Sequence, residues 1–309
     1  MGTAFSRRSF LATGLAASAG AMLGGRFPGS AAEAADGGRG VQPDLCVVTG
    51  MSYYGNTLKA VEGIGGIGRF VGRGSKVGLL INHPFRNPGT HVNPEIALAV
   101  VKMCFEAGAH TVYDLKTAPS GYWQRSPRAK ELSGEIRSLR SGGDYLDVEV
   151  PKGRFLKKGE ILKGLLEVDV LINVSIGKDH EGTRFSGILK NMMGAATYST
   201  CQFFHFGHGK GGWYGDVDFL SQCVADINLL RRPDLSISDS TEFVTTNGPF
   251  GPGKLARPQR VVAGADPVAV DAYCARLLGL DVNAVSMIRL SAATGLGQAD
   301  LRRTKIVEL

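Results

Sequence analysis

Between Lys178 and Gly194 the chain reads K-D-H-E-G-T-R-F-S-G-I-L-K-N-M-M-G, which gathers a histidine, two lysines and an asparagine around a turn of small residues. A lysine held in a partly desolvated pocket beside another cation gives up its proton more easily and serves as base or nucleophile, while an imidazole moves protons near neutrality. His180, Lys190 and Lys178 are therefore the catalytic candidates, and Asn191 is a candidate for substrate binding. The competing expectation is a set of surface groups that cap the following helix. Asp179 and Arg184 are expected to face solvent.

Other polar loops offer partners. In Asn82-His83-Pro84-Phe85-Arg86, His83 and Arg86 are candidate substrate ligands, because a guanidinium fork suits a carboxylate. His91, beside a helix cap at Asn93, reads as structural, and Asp239, ahead of N-G-P-F-G-P-G at 247–253, reads as a site carboxylate. The glycine-rich stretch 205–214 carries His205 and His208, either a metal pair, part of a flap over substrate, or a plain loop. Histidines three apart in a loop do not fix a coordination geometry. Asp266 and Pro267 form a helix start, and Asp271 one turn later is placed to face the pocket.

Several chemistries are excluded. The run G-I-G-G-I-G at 63–68 precedes a strand instead of joining a strand to a helix, so it is no dinucleotide fingerprint. There is no G-x-S-x-G elbow, and Ser186 with Lys190 misses the S-x-x-K spacing by one. Five cysteines without a C-x-x-C pair encode no iron–sulfur cluster or zinc ribbon. Cys104 and Cys274 fall on apolar helix faces, and an oxidising compartment would permit one disulfide, for which Cys201–Cys223 is the candidate pair.

The elements that must position these groups follow from hydrophobic periodicity. Strands are expected at 45–49, 76–81, 110–115, 145–150, 168–176, 235–238 and 260–264, with helices at 94–107, 162–166, 187–196, 217–230 and 267–278. The alternation predicts an α/β fold, a mostly parallel sheet with helices on both faces and the site at the C-terminal strand ends. In such a sheet the loops 82–86, 178–180, 239–241 and 265–267 converge on one rim, although the first and last are far apart in sequence.

The first residues read as an address. Ser6-Arg7-Arg8-Ser9-Phe10-Leu11 is a twin-arginine pattern, followed by an apolar run at 11–23 and Ala32-Glu33-Ala34 as a cleavage signal. The run is shorter than the roughly 20 residues a spanning helix needs, so no stable membrane anchor is expected. The organisation expected is a signal peptide at 1–34, a mobile leader at 35–41 and a single α/β domain at 42–309. The twin-arginine translocase is the expected export partner, and the mature protein is expected in the periplasm or outside the cell. Its net charge falls from +7 to +5 on loss of residues 1–34, and its basic residues are scattered, which argues against nucleic acid and for a modest preference for anions.

With these residues in place, the chain resembles the twin-arginine-exported branch of the DUF362 family, a domain of unknown function. The matching motifs are residues 77–82 with their loop, Lys178-x-His180, Leu189-Lys190-Asn191-x-x-Gly194, Asp239 with Gly248-Pro249-x-Gly251, and Ala263-Gly264-x-Asp266-Pro267-Val268-Ala269-Val270-Asp271. They run in family order over roughly residues 76–280. The family's usual Lys-Pro-Asn after the first inner strand is here Leu80-Ile81-Asn82, and the iron–sulfur segment that many members carry is not encoded.

A shorter segment, His180, Ser186-Gly187 and Lys190, resembles the H-x5-S-G-x2-K of nickel-pincer lactate racemases, where a lysine tethers a pyridinium cofactor and histidines shuttle the substrate proton. Arg86 and His205 or His208 fall where those enzymes keep a carboxylate-binding arginine and a metal-binding histidine. That resemblance implies a nickel-pincer-like organometallic cofactor or another metal, and racemase- or epimerase-like proton transfer on a small anionic substrate. The other function class is a non-catalytic periplasmic protein that holds an anion or metal, or assists a redox partner.

Overall fold

The apolar run ahead of His180 forms the strand Val170–Ile176, buried along its whole length near the middle of a sheet. In the computed structural model, which describes residues 42–309 apart from 208, 210, 211, 213 and 214, this sheet has eight strands. Their order is Ile306–Glu308, Leu45–Thr49, Arg260–Gly264, Leu235–Ser240, Val170–Ile176, Lys76–Ile81, Thr111–Asp114 and Arg140–Ser141. The signal peptide expected at 1–34, the leader expected at 35–41 and His208 lie outside the described residues.

Side chains alternate across the pleat and so build two cores. One contains Leu79, Ile81, Ile172, Val174 and Ile176 with apolar residues of helices Tyr53–Glu62 and Pro94–Glu106. The other contains Leu80, Leu171 and Val262 with residues of helices Ile188–Asn191, Val217–Asn228, Pro267–Leu277 and Ser286–Ala293. The fold is therefore α/β, a mostly parallel sheet with helices on both faces. Among the described residues no helix is long and apolar enough to cross a membrane.

One strand corrects the expected convergence. Arg260–Gly264 runs antiparallel to both neighbours, Leu45–Thr49 and Leu235–Ser240. Its C-terminal end therefore lies at the rim opposite the C-terminal ends of Lys76–Ile81, Val170–Ile176 and Leu235–Ser240. The loop 265–267 thus leaves the site, and Asp266 accepts the backbone N–H groups of Val268, Ala269 and Gln298 at 2.9, 3.0 and 2.8 Å. Strand direction is set by pairing, which local patterning does not encode.

Three further expectations change. The strand Tyr145–Glu149 stays out of the main sheet and pairs antiparallel with Lys158–Leu162 in a separate hairpin. Helix Tyr198–Phe206, with Thr197 accepting the Thr200 N–H at 3.3 Å, takes in His205, which the glycines that follow had suggested was loop. All five cysteines are free, so Cys201 and Cys223 form no disulfide.

Because Asp266 caps a helix and holds the Gln298 N–H on the far rim, Asp266→Ala is expected to cost about 1–2 kcal/mol in chemical denaturation. Binding of small acids, followed by calorimetry, is expected to stay unchanged in the same variant.

Candidate functional site

Lys190 sits on the four-residue helix Ile188–Asn191, too short to hold itself. The surrounding polar side chains hold it instead. The buried Asp271 carboxylate, from helix Pro267–Leu277, accepts the Ile188 and Leu189 N–H groups at 2.7 and 2.9 Å. Asn173, buried in the central strand, donates to the Ile188 carbonyl at 3.0 Å, and Asn228 donates to the Leu189 carbonyl at 2.9 Å. Asn191 donates to the Leu80 carbonyl at 2.9 Å and to Asn173 Oδ1 at 2.8 Å, while its own Oδ1 accepts from Asn82 at 3.2 Å. A Cβ on Gly187 would stand 2.3 Å from Asp271 Oδ1, so only glycine allows this approach. Asp271 therefore lies beneath the Lys190 helix and not in the pocket.

Above this helix, at the C-terminal ends of Lys76–Ile81 and Val170–Ile176, is a cavity of about 490 Å³. Its polar lining includes Asn82, His83, Lys116, His180, Lys190 and Cys201, and its apolar lining includes Phe85, Met193 and Pro249. The partly buried Lys190 amine donates to Met193 Sδ at 3.4 Å. Burial lowers its pKa to about 8, opposed only by the Cys201 thiol.

His180 is buried in the same wall. Its Nδ1 accepts the N–H groups of Gly182 and Thr183 at 3.2 and 3.3 Å, which assigns the ring proton to Nε2. Burial, reinforced by Lys190 and Lys178, holds its pKa down at about 2. The ring is thus a neutral donor at ordinary pH.

Lys178 does not line the cavity. Fully buried, it donates to the Thr90 carbonyl and lies 3.9 Å from the centre of the Phe85 ring, a cation–π contact that braces the cavity wall. Burial and then Lys190 hold its pKa well below the usual lysine range.

The candidate substrate ligands divide. Asn191 lines the cavity, but its amide is committed to the sheet. His83 lines it too, with Nε2 3.3 Å from Asp114 Oδ1 and a buried Nδ1 that has no hydrogen-bond partner among the described residues. Arg86 is exposed and outside the lining. Asp239 faces a separate cavity of about 210 Å³, with His91 and Arg125. Its oxygens are occupied by the Asn93 N–H at 2.8 Å and by the Thr241 N–H and hydroxyl at 3.0 and 2.6 Å, and burial raises its pKa. Asp239 therefore fastens two loops.

Sequence reasoning missed Lys116, Cys201, Tyr198 and the Asp114 that orients His83. Lys116 and Asp114 were within reach of the strand-end argument, since they close Thr111–Asp114 and start its following loop. Asp179 does not simply face solvent either: it accepts the Gly248 N–H at 2.8 Å and so ties down the loop that brings Pro249 to the cavity. His205 is near enough to add to the depression of the His180 pKa. A lysine-tethered, metal-bearing cofactor would need an amine and gathered donors. Lys190 offers the amine, but among the described residues no three His, Cys, Asp or Glu side chains cluster to hold a metal.

A strand-end cavity with a desolvated amine on an α/β sheet defines the class of site, and the sequence gives the family. The family model for DUF362, a domain of unknown function, matches residues 77–276, and the chain belongs to that family. Comparison with curated proteins finds no match. Among solved structures, a Thermotoga maritima protein from a structural genomics consortium is similar at 14% identity and a TM-score of 0.41, over 74% of this chain and 58% of that one. The lactate racemase apoprotein of Thermoanaerobacterium thermosaccharolyticum is similar at 14% identity and a TM-score of 0.46, over 79% of this chain and 58% of that one. The chain thus spans a little over half the length of either structure.

The buried groups make stability depend on pH in opposite senses. An unfolded imidazole binds a proton below about pH 6.5, whereas folded His180 takes none until about pH 2. The unfolded state binds more protons between those values, so this contribution is lost as pH falls through the window. Asp271 is raised from 3.8 to about 7 by burial, against the pull of its two N–H donors, so its contribution is lost as pH rises through that interval. Urea midpoints at about pH 4.5 and about pH 7.5 are expected to show a smaller acid-side loss in His180→Gln than in wild type, and a larger one in Asp271→Asn.

Proposed function

We propose that this DUF362 protein is an exported enzyme of racemase or epimerase type, moving a proton on a small organic anion with Lys190 and His180 as the acting groups. One observation carries the reading: the Lys190 amine and the His180 ring line a single cavity. The neutral amine takes a proton from carbon, and the His180 Nε2–H steadies the charge that develops on the adjacent oxygen. Lys116, on the same wall, anchors the anion in place of the exposed Arg86. The Asn82–Asn191–Asn173 ladder holds the amine in place, and Phe85 and Met193 keep water from its surroundings.

The test is solvent exchange. The purified protein is incubated in heavy water with a panel of small hydroxy, oxo and amino acids, and NMR follows loss of the proton next to the carboxylate. Exchange is expected with at least one acid, rising with pH through about 8 as Lys190 loses its proton. Lys190→Gln is expected to lower the rate by about 10²–10⁴-fold, and Lys116→Gln to raise KM more than it lowers kcat. Acids that bind without exchange would overturn the enzyme and favour the anion-binding alternative.

Export rests on the twin-arginine pattern at 6–11. Replacing Arg7 and Arg8 together by lysine is expected to hold the uncleaved precursor inside the cell, whereas wild type is expected in the exported fraction with residues 1–34 removed. Cell fractionation with intact-mass measurement checks both.

A further inference from the structure

The Lys190 amine has an unusual setting for a lysine at a cavity wall. Its hydrogen-bond partner is a thioether, Met193 Sδ at 3.4 Å, and no carboxylate among the described residues contributes to its field. Phe85, Pro119, Met193, Ala196 and Pro249 give the cavity an apolar lining. Lys116 and Cys201 line the same space, and the charges of both lysines oppose the rise that burial imposes on the Cys201 thiol pKa. An amine that is desolvated, held only by a thioether among the described residues and open to a cavity is an activated nucleophile, and apolar walls slow the hydrolysis of what it forms.

We propose that Lys190 forms an imine with a 2-oxo acid, a covalent activity beyond simple proton transfer that rests on reading the cavity as a small-anion site. The carboxylate of the acid pairs with Lys116, which turns the neighbouring carbonyl carbon towards Lys190. The nitrogen lone pair attacks that carbon and the carbonyl oxygen becomes a hydroxyl, with one proton moving from nitrogen to oxygen. The carbon–oxygen bond then breaks and the oxygen leaves as water with the second nitrogen proton, so the amine and the oxo acid yield a carbon–nitrogen double bond and one water. The His180 Nε2–H and the Ser186 hydroxyl, both in the lining, are the groups that hydrogen-bond the departing oxygen. The depressed pKa of Lys190, about 8, keeps a useful fraction of the amine neutral near physiological pH.

Reductive trapping tests this. The whole mature protein is treated with pyruvate and cyanoborohydride between about pH 6.5 and about pH 9.5, and adducts are located by intact mass and peptide mapping. One preferred adduct is expected on the peptide carrying Lys190, forming at neutral pH on the order of tenfold or more faster than on surface lysines, whose amines are protonated until about pH 10.4. Lys190→Arg is expected to abolish it. Lys116→Gln is expected to slow trapping by pyruvate but not by acetone, which has no carboxylate to anchor. Mapping of the wild-type protein decides the matter even if a variant folds poorly: adducts spread over exposed lysines without preference for Lys190 overturn the imine. Lys190-dependent proton exchange that persists without trapping overturns the imine alone and leaves the proton-transfer reading standing, whereas loss of both overturns both.

Discussion

The structure depends on one constraint: a helix of four residues, laid on a fully buried strand, must have its backbone hydrogen bonds met from outside. Water cannot meet them, and each buried group left unpaired costs about 1–3 kcal/mol. Asp271 takes the first N–H groups, Asn173 and Asn228 supply donors to its carbonyls, and Asn191 grips the Leu80 carbonyl and Asn173. This explains why Asn173 occupies the middle of Val170–Ile176, where a packing argument alone would want an apolar residue. The ladder positions Lys190 and ties it to four elements, among them a helix that starts at the opposite rim.

Electrostatics at the cavity follow from that arrangement. Burial lowers the pKa of Lys178, Lys190 and His180 alike; Lys190 lowers that of Lys178 further, and both lysines lower that of His180. The Asp271 carboxylate is turned to backbone N–H groups below, and Asp114 is turned to His83 and Ala118. Among the described residues no carboxylate offsets the desolvation of the Lys190 amine, which costs stability. Local departures of this kind are where function is expected to oppose packing.

Much of the architecture was legible before any coordinates. The bounds of Leu45–Thr49, Lys76–Ile81, Pro94–Glu106 and Pro267–Leu277 follow from periodicity, Asn93 and Asp266 caps, and prolines at the first helical turn. The short polar segment around Lys190 also announced itself, because its residue types do not belong in a core. Less legible were residues with ordinary roles in local sequence. Asp239 reads as a site carboxylate in sequence, but in the fold it lines a separate cavity and joins two loops, since its hydrogen-bond donors, Asn93 and Thr241, come from a distant helix start and its own turn. Lys178 and Lys190 look equivalent in sequence, yet one is sealed under the Phe85 ring and the other opens to the cavity.

The sequence by itself determined the local conformations, the alternation of strands and helices, and the chemistry available after Ile176, because side-chain shape, capping and hydrophobic period act within a few residues. Tertiary structure alone decided which strand runs backwards, which loops share a rim, and which of the amines keeps access to a ligand. Those outcomes depend on pairing register and burial between segments far apart along the chain. Arg260–Gly264 illustrates the division: its apolar pattern specifies a strand, but only its pairing with Leu45–Thr49 and Leu235–Ser240 sets its direction, and so places Asp266 on the far side from Lys190.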